Sequence, residues 1–316
     1  MNLFKNIVLF QIAENNTIYI DWGTGLRHTR GFSGRLETPL PKFAANLSLM
    51  FAEQNFLDRF DAAAAAGFDA VECQFPYAFP IQVLAARLQR TGLRLVLHNM
   101  PAGDWAAGDR GLACHPHRVA EFRAGVDRAL DYAHALDCDQ LNVLAGIAVP
   151  GVPREILDAT LVENLTYAAD RLQRAGIRLV VEALNTQDTP GFHVTSTARA
   201  ADLIKATGAD NIALQYDAYH MHIQEDDGLA TVRRYGDQIA HIQVADVPGR
   251  HEPGSGEIDF PALFRGLDGG GYQGWVGCEY VPATTTAAGL GWMEAYRPEA
   301  PRTATTTTGT TTKVCQ

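Results

Sequence analysis

Four short apolar runs in the second half of the chain carry oxygen-bearing side chains at or near their ends. Val180-Val181-Glu182 closes on a glutamate, Leu214-Gln215-Tyr216-Asp217 on an aspartate and Gly277-Cys278-Glu279 on a second glutamate, while Gln243 lies within His241-Ile242-Gln243-Val244. Brought to one place, three carboxylates would repel one another and lose hydration, so positive charge must sit among them. A hard divalent cation with oxygen ligands meets that need. Mg²⁺ or Mn²⁺ stands ahead of zinc, because no cysteine and no clear histidine belongs to the set. The predicted metal ligands are therefore Glu182, Asp217, Gln243 and Glu279. One such acid alone would read as a helix cap or an arginine partner; a set on consecutive runs reads as a cluster. Gln243 has a competing use, since a strand glutamine can satisfy backbone groups instead.

Other polar residues fall around this set. His220 follows Asp217 by three residues and, from a loop, would reach over the cluster to a substrate oxygen. Arg250 and His251, in Pro-Gly-Arg-His-Glu-Pro, supply positive charge for an anionic substrate, Arg250 through a bidentate fork. His98 and Asn99 end the third run, Asn46 lies in the first and Glu72 ends the second; each is a pocket group or an internal hydrogen bond. The predicted substrate contacts are His220, Arg250, His251, His98 and Asn46. Trp105 lies in a long segment after the third run, which reads as a lid or as a surface-packed loop.

To converge, these residues must sit at equivalent ends of a repeated element, and the chain has one. Apolar, β-rich runs at 43–49, 70–74, 93–98, 140–144, 178–182, 212–217, 239–245 and 275–279 alternate with amphipathic stretches at 56–66, 81–91, 117–136, 154–175, 196–207, 228–235, 261–269 and 287–296. Gly67, Gly92, Gly176, Gly208 and Gly236 stand as helix stops. Eight alternating units predict parallel strands with crossover helices closed into a (β/α)8 barrel, with the chemistry at the C-terminal ends of the strands. A doubly wound sheet would carry a glycine-rich phosphate loop after its first strand, and Asn46-Leu-Ser-Leu-Met-Phe51 has no glycine.

The chain has 316 residues and a net charge of −10, so a phosphate backbone would be repelled and no nucleic-acid partner is expected. Its five cysteines form no CxxC pair, which predicts a reducing cytoplasm rather than a disulfide or zinc framework. The apolar run 7–10 is broken by Gln11 and Glu14, too short for a membrane span or a signal peptide. Residues 1–40 show no sustained period and read as an N-terminal extension; 41–297 is the barrel; the threonine-rich stretch 298–316 is a low-complexity, disordered tail. Surface helices leave a homo-oligomer open.

Phe43-Ala-Ala-Asn-Leu-Ser-Leu-Met-Phe51, Gly67-Phe-Asp-Ala-Val-Glu72, Val181-Glu-Ala183, Gly249-Arg-His-Glu-Pro253 and Gly271-Tyr-Gln-Gly-Trp-Val-Gly-Cys-Glu-Tyr280 together resemble the hydroxypyruvate isomerase family, a branch of the xylose isomerase-like TIM barrels. The resemblance covers about 41–297. It implies a metal on Glu182, Asp217, Gln243 and Glu279, with Glu182 and Glu279 as the catalytic acid/base pair. Related sugar epimerases place a histidine where this chain has Gln243, so the glutamine favours the hydroxypyruvate branch. The implied reaction is isomerisation of a small 2-oxo acid, hydroxypyruvate to tartronate semialdehyde, through an enediolate. The alternatives are a 2-oxo-tetronate isomerase, a ketose 3-epimerase or keto-inositol dehydratase on the same scaffold, or a binding barrel without turnover.

Overall fold

The apolar runs pair in sequence order into one closed parallel barrel. Its strands are β1 (Lys42–Asn46), β2 (Ala70–Cys73), β3 (Arg94–Asn99), β4 (Gln140–Val143), β5 (Arg178–Glu182), β6 (Ile212–Asp217), β7 (Ile239–Val244) and β8 (Trp275–Cys278). β8 closes onto β1, with Val276 opposite Phe43 and Cys278 opposite Ala45. The computed structural model describes residues 41–225 and 227–296, with two short strands, Leu9–Phe10 and Tyr19–Ile20. Those two pair antiparallel; two-residue strands are too short to leave a period in the sequence. The rest of the extension and the threonine-rich tail lie outside the described residues.

The helices are α1 (Arg59–Ala65), α2 (Ile81–Thr91), α3 (Val119–Ala135), α4 (Arg154–Gln173), α5 (Thr197–Thr207), α6 (Ala218–Gln224), α7 (Gly228–Tyr235) and α8 (Phe260–Gly269). Gly92 and Gly208 end α2 and α5 at φ of 70° and 67°, the left-handed conformation that a side chain would oppose. Gly236 does not act as such a stop: its φ is −50° and it opens a 3₁₀ turn, Gly236–Gln238. The stretch 287–296 is 3₁₀ rather than α. It is held by packing, with Trp292 and Tyr296 meeting Phe43 edge-on at 5.1 and 6.1 Å between ring centroids.

Most of the core lies between strands and helices, but a separate small cluster of Ala44, Ala70, Val96 and Trp275 packs apart from it. Two irregularities then decide which side chains face the centre. Val71 pairs with Leu95 but Glu72 with Leu97, so Val96 is an extra residue in β3. Leu214 pairs with Ile239 but Gln215 with His241, so Ala240 is extra in β7. A bulge of this kind re-aims every side chain after it. Beyond the first, His98 packs on Tyr77 while Asn99 meets Asn142; beyond the second, His241 and Gln243 both reach Glu72.

Candidate active site

Glu182, Asp217, Gln243 and Glu279 are all buried, Glu279 immediately after β8 and the others at or near the C-terminal ends of β5, β6 and β7. β1 is shorter than its apolar run. Met50 N–H donates back to the Asn46 carbonyl at 2.8 Å, so the chain turns and Asn46 becomes a strand end rather than an interior residue.

Each acid is held differently. Glu182 Oε2 accepts from Asn142 Nδ2 at 2.9 Å. Glu279 Oε1 accepts from Asn46 Nδ2 and Gln74 Nε2, both at 3.1 Å, and its Oε2 accepts from Arg250 Nη2 at 2.6 Å. Asp217 Oδ1 caps α6 through the Tyr219 N–H at 2.8 Å, leaving Oδ2 for the same Arg250 Nη2 at 3.0 Å. Burial, the charges of Glu279 and Asp217, and too little compensation from Arg250 hold the Glu182 carboxyl well above the usual range. Burial also pushes Glu279 up, to about 8, against the pull of Arg250.

His220 lies on α6, not in a loop as predicted; Asp217 serves as both strand end and helix cap, so one residue sets both positions. Its Nδ1 accepts from Asn185 Nδ2 at 2.7 Å, which turns Nε2 to within 3.6 Å of Asp217 Oδ2. Burial lowers its pKa to about 4, so the ring is neutral at neutral pH. Glu182, Asp217 and His220 offer ligand atoms that all lie within 4.8 Å of one another. With Nδ1 accepting, the neutral ring carries its proton on Nε2, so His220 lies beside the two acids and turns an N–H toward Asp217. Gln243 is turned elsewhere: Nε2 donates to Glu72 Oε1 at 2.7 Å and Oε1 accepts from Gln215.

Three predicted substrate contacts have other partners. His98 faces Tyr77, whose hydroxyl is 3.3 Å from its Nδ1, because the β3 bulge turns Asn99 inward instead. His251 braces its loop, its Nδ1 2.8 Å from the Val281 carbonyl, and none of its hydrogen bonds among the described residues reaches the acids. Asn46 uses Nδ2 on Glu72 and Glu279 and Oδ1 on the Ser48 N–H, so it holds protein groups. Arg250 is at the acids, but as their counter-ion, with Tyr219 beneath its guanidinium at 4.8 Å. Trp105 is 44% exposed and lies between Phe75, whose ring is tilted 54° to it, and the Arg110 guanidinium.

The sequence reading missed Gln74, Asn142, Asn185, Gln215 and His241. A signal existed for some of them. Gln140-Leu141-Asn142-Val143 alternates polar and apolar, and Gln74 follows Glu72 by two, so in a buried barrel the polar face must point inward.

Arg250 is placed by a loop whose organiser is Asp246. That buried carboxylate accepts from four backbone N–H groups, those of Val247, Gly254, Gly256 and Ile258, at 2.8–3.0 Å. The loop then holds Arg250 at φ 56°, a conformation that a non-glycine residue keeps only when its surroundings enforce it. Asp246→Ala is expected to destabilise the protein by on the order of 3 kcal/mol, because several N–H groups lose their acceptor together. Thermal melting would show the loss, and activity would fall in parallel as Arg250 leaves the acids; an unchanged melting temperature would rule out this role.

Residues 60–296 match the model of the xylose isomerase-like TIM barrel family. The hydroxypyruvate isomerase of Escherichia coli K12 is 49% identical over 81% of this chain and 99% of its own length. A 2-oxo-tetronate isomerase of Cupriavidus necator is 46% identical over the same shares. Among solved structures, one titled AP endonuclease, family 2, from Brucella melitensis is 47% identical and superposes with a TM-score of 0.80 over 82% of this chain and all of that one. With the barrel and its buried acids already in view, these matches establish that the chain is an isomerase belonging to the hydroxypyruvate isomerase family of xylose isomerase-like TIM barrels.

Proposed function

We propose that the enzyme interconverts hydroxypyruvate and tartronate semialdehyde by moving one proton between adjacent carbons. The observation that carries this reading is the pair of buried glutamates, Glu182 and Glu279, on either side of Asp217 in strand order and both held above the ordinary carboxylate range. Glu279, with three donors, is the more readily ionised and takes the proton from the hydroxymethyl carbon. Glu182, with one donor and the stronger tendency to stay protonated, delivers a proton to the former carbonyl carbon. The hydroxyl proton passes to the other oxygen, Glu279 gives up its proton and Glu182 regains one by exchange with solvent on product release, and the roles reverse with the direction of reaction. Closed off from water, the fixed dipoles of Asn142, Asn46 and Gln74 hold both carboxylates without rearranging.

A divalent cation fits the donor set. Carboxylate oxygens of Glu182 and Asp217 are close enough to share one ion, with His220 beside them, and Arg250 links Asp217 to Glu279. Of the three buried carboxylates, Asp217 and Glu279 are hydrogen-bonded to Arg250, and Glu182 only to the neutral amide of Asn142. Such an ion would polarise adjacent carbonyl and hydroxyl oxygens and acidify the C–H between them. EDTA treatment is expected to abolish activity and Mn²⁺ to restore it; full activity after exhaustive chelation would rule out the ion.

Four buried, unpaired cysteines, Cys73, Cys114, Cys138 and Cys278, fit a reducing cytoplasm, and among the described residues no helix is long and apolar enough to cross a membrane. The second reading, 2-oxo-tetronate as substrate, is favoured by the 46% identical relative of that name. Incubation in D₂O with hydroxypyruvate, 2-oxo-tetronate and free ketoses, followed by NMR, separates the possibilities. Deuterium in the oxo acids supports the isomerase, and the faster of the two names the substrate. Label only in ketoses would make it an epimerase, and label in none a binding protein.

A further inference from the structure

The barrel interior holds a further acid that the proposed reaction does not use. Glu72, on β2, is completely buried. Its Oε2 lies 2.6 Å from His241 Nε2, which as the N–H end of the ring donates to it. Its Oε1 accepts from Asn46 Nδ2 at 2.9 Å and from Gln243 Nε2 at 2.7 Å. Barrel interiors are usually filled by branched apolar side chains. Here a glycine makes room for a carboxylate instead, since a Cβ on Gly277 would overlap both Glu72 oxygens. Burying an acid in this way is tolerable only because donors hold it on each side.

We propose that Glu72, seated by His241 against Gly277, is a positioning residue that fixes the amide orientations of Asn46 and Gln243 and so, through Asn46, holds Glu279 in place beside the ion-holding acids. A carboxylate offers acceptors only, so both amides must turn their NH₂ groups toward it. For Asn46 the same Nδ2 then also reaches Glu279 Oε1, while Oδ1 is anchored by the Ser48 N–H. Glu279 Oε1 is thereby held, and Oε2 is the oxygen left toward Arg250. For Gln243, committing Nε2 to Glu72 leaves Oε1 as the end presented away from it, where Gln215 donates. An amide at position 72 has one oxygen for these three donors: its NH₂ would meet either the His241 Nε2–H or the Asn46 and Gln243 amides, which share Oε1, so either the seat or both orientations would be lost.

This inference rests on the reading of the acids as an ion-holding set, and the test separates the two. Wild type and Glu72→Gln would be titrated with Mn²⁺ and followed by electron paramagnetic resonance, with kcat and KM measured alongside. Wild type is expected to bind Mn²⁺, and Glu72→Gln to bind it about tenfold or more weakly, the usual effect of removing a group that orients a ligand. kcat should fall in step, with KM little changed. A merely structural Glu72 would lower the melting temperature and leave affinity and kcat at wild-type values, and that result overturns the inference. If Glu72→Gln does not fold, Gly277→Ala displaces the same carboxylate without removing a polar group and faces the same two outcomes. Failure of the wild type to bind Mn²⁺ would instead sink the cluster reading, and this inference with it.

Discussion

Glu182→Gln or Glu279→Gln lowers kcat at least about a hundredfold, the minimum expected for losing a general acid or base, while the protein becomes no less stable. Glutamine keeps the shape and one acceptor oxygen, so Asn142 retains its partner at position 182 and the paired amides of Asn46 and Gln74 theirs at 279, where the bond from Arg250 is given up and Arg250 keeps Asp217. What disappears is a charge that the fold opposes. Burial holds the Glu279 carboxyl at about 8, against an ordinary 4.5, so in the metal-free folded protein it binds its proton more tightly than in the unfolded chain. For such a raised acid the penalty is absent below the unfolded value and grows as pH rises toward the folded one. Melting of metal-free wild type and Glu279→Gln should therefore coincide near the acid end of that window, with the variant increasingly ahead as pH climbs to about 8. Residual turnover above about one hundredth of wild type would remove that glutamate from the acid/base pair.

Arg250→Ala lowers kcat/KM by about 10- to 150-fold, equivalent to the 1.5–3 kcal/mol of a charge-assisted hydrogen bond, and Arg250→Lys falls between the two. The sequence reading assigned this loss to the substrate carboxylate alone. The geometry adds a second contribution, because the guanidinium bridges Asp217 and Glu279 and is the main influence holding the Glu279 carboxyl down. Without it that carboxyl rises further, and the pH at which the base becomes ionised rises with it. The acid limb of the pH profile of kcat/KM should move to higher pH in Arg250→Ala and stay near wild type in Arg250→Lys, which keeps the charge but not the fork. A loss of less than about twofold, roughly 0.5 kcal/mol, would place the substrate carboxylate elsewhere. An unmoved acid limb would show that Glu279 does not depend on the bridge.

Periodicity carried the barrel. Each of the eight runs that alternate with amphipathic stretches became a strand in the expected order, because a parallel strand buried on both faces must be apolar along its length and its crossover must supply the cover. The errors were local. α6 is seven residues long, too short for a helical period to stand out, and depends on a cap from Asp217 that the sequence could show only as one more acid at a strand end. The 3₁₀ segment 287–296 has helical composition but takes its form from the rings it packs on.

By itself, then, the sequence determined which strands end in acids and on which rim of the barrel they stand, since a two-residue alternation and a chain order are local properties. Glu182, Asp217, Gln243 and Glu279 could be named because each lies at or near the end of its own apolar run. Only the tertiary structure decided what each side chain touches. One extra residue in β3 turns His98 to Tyr77 and brings in Asn99, and one extra residue in β7 lets both His241 and Gln243 reach Glu72. A bulge exists only relative to the neighbouring strand, and the partners of Glu72, Asn46 and Arg250 come from strands and loops far apart in the chain. Those contacts are therefore written in the register between strands, which no single stretch of sequence contains.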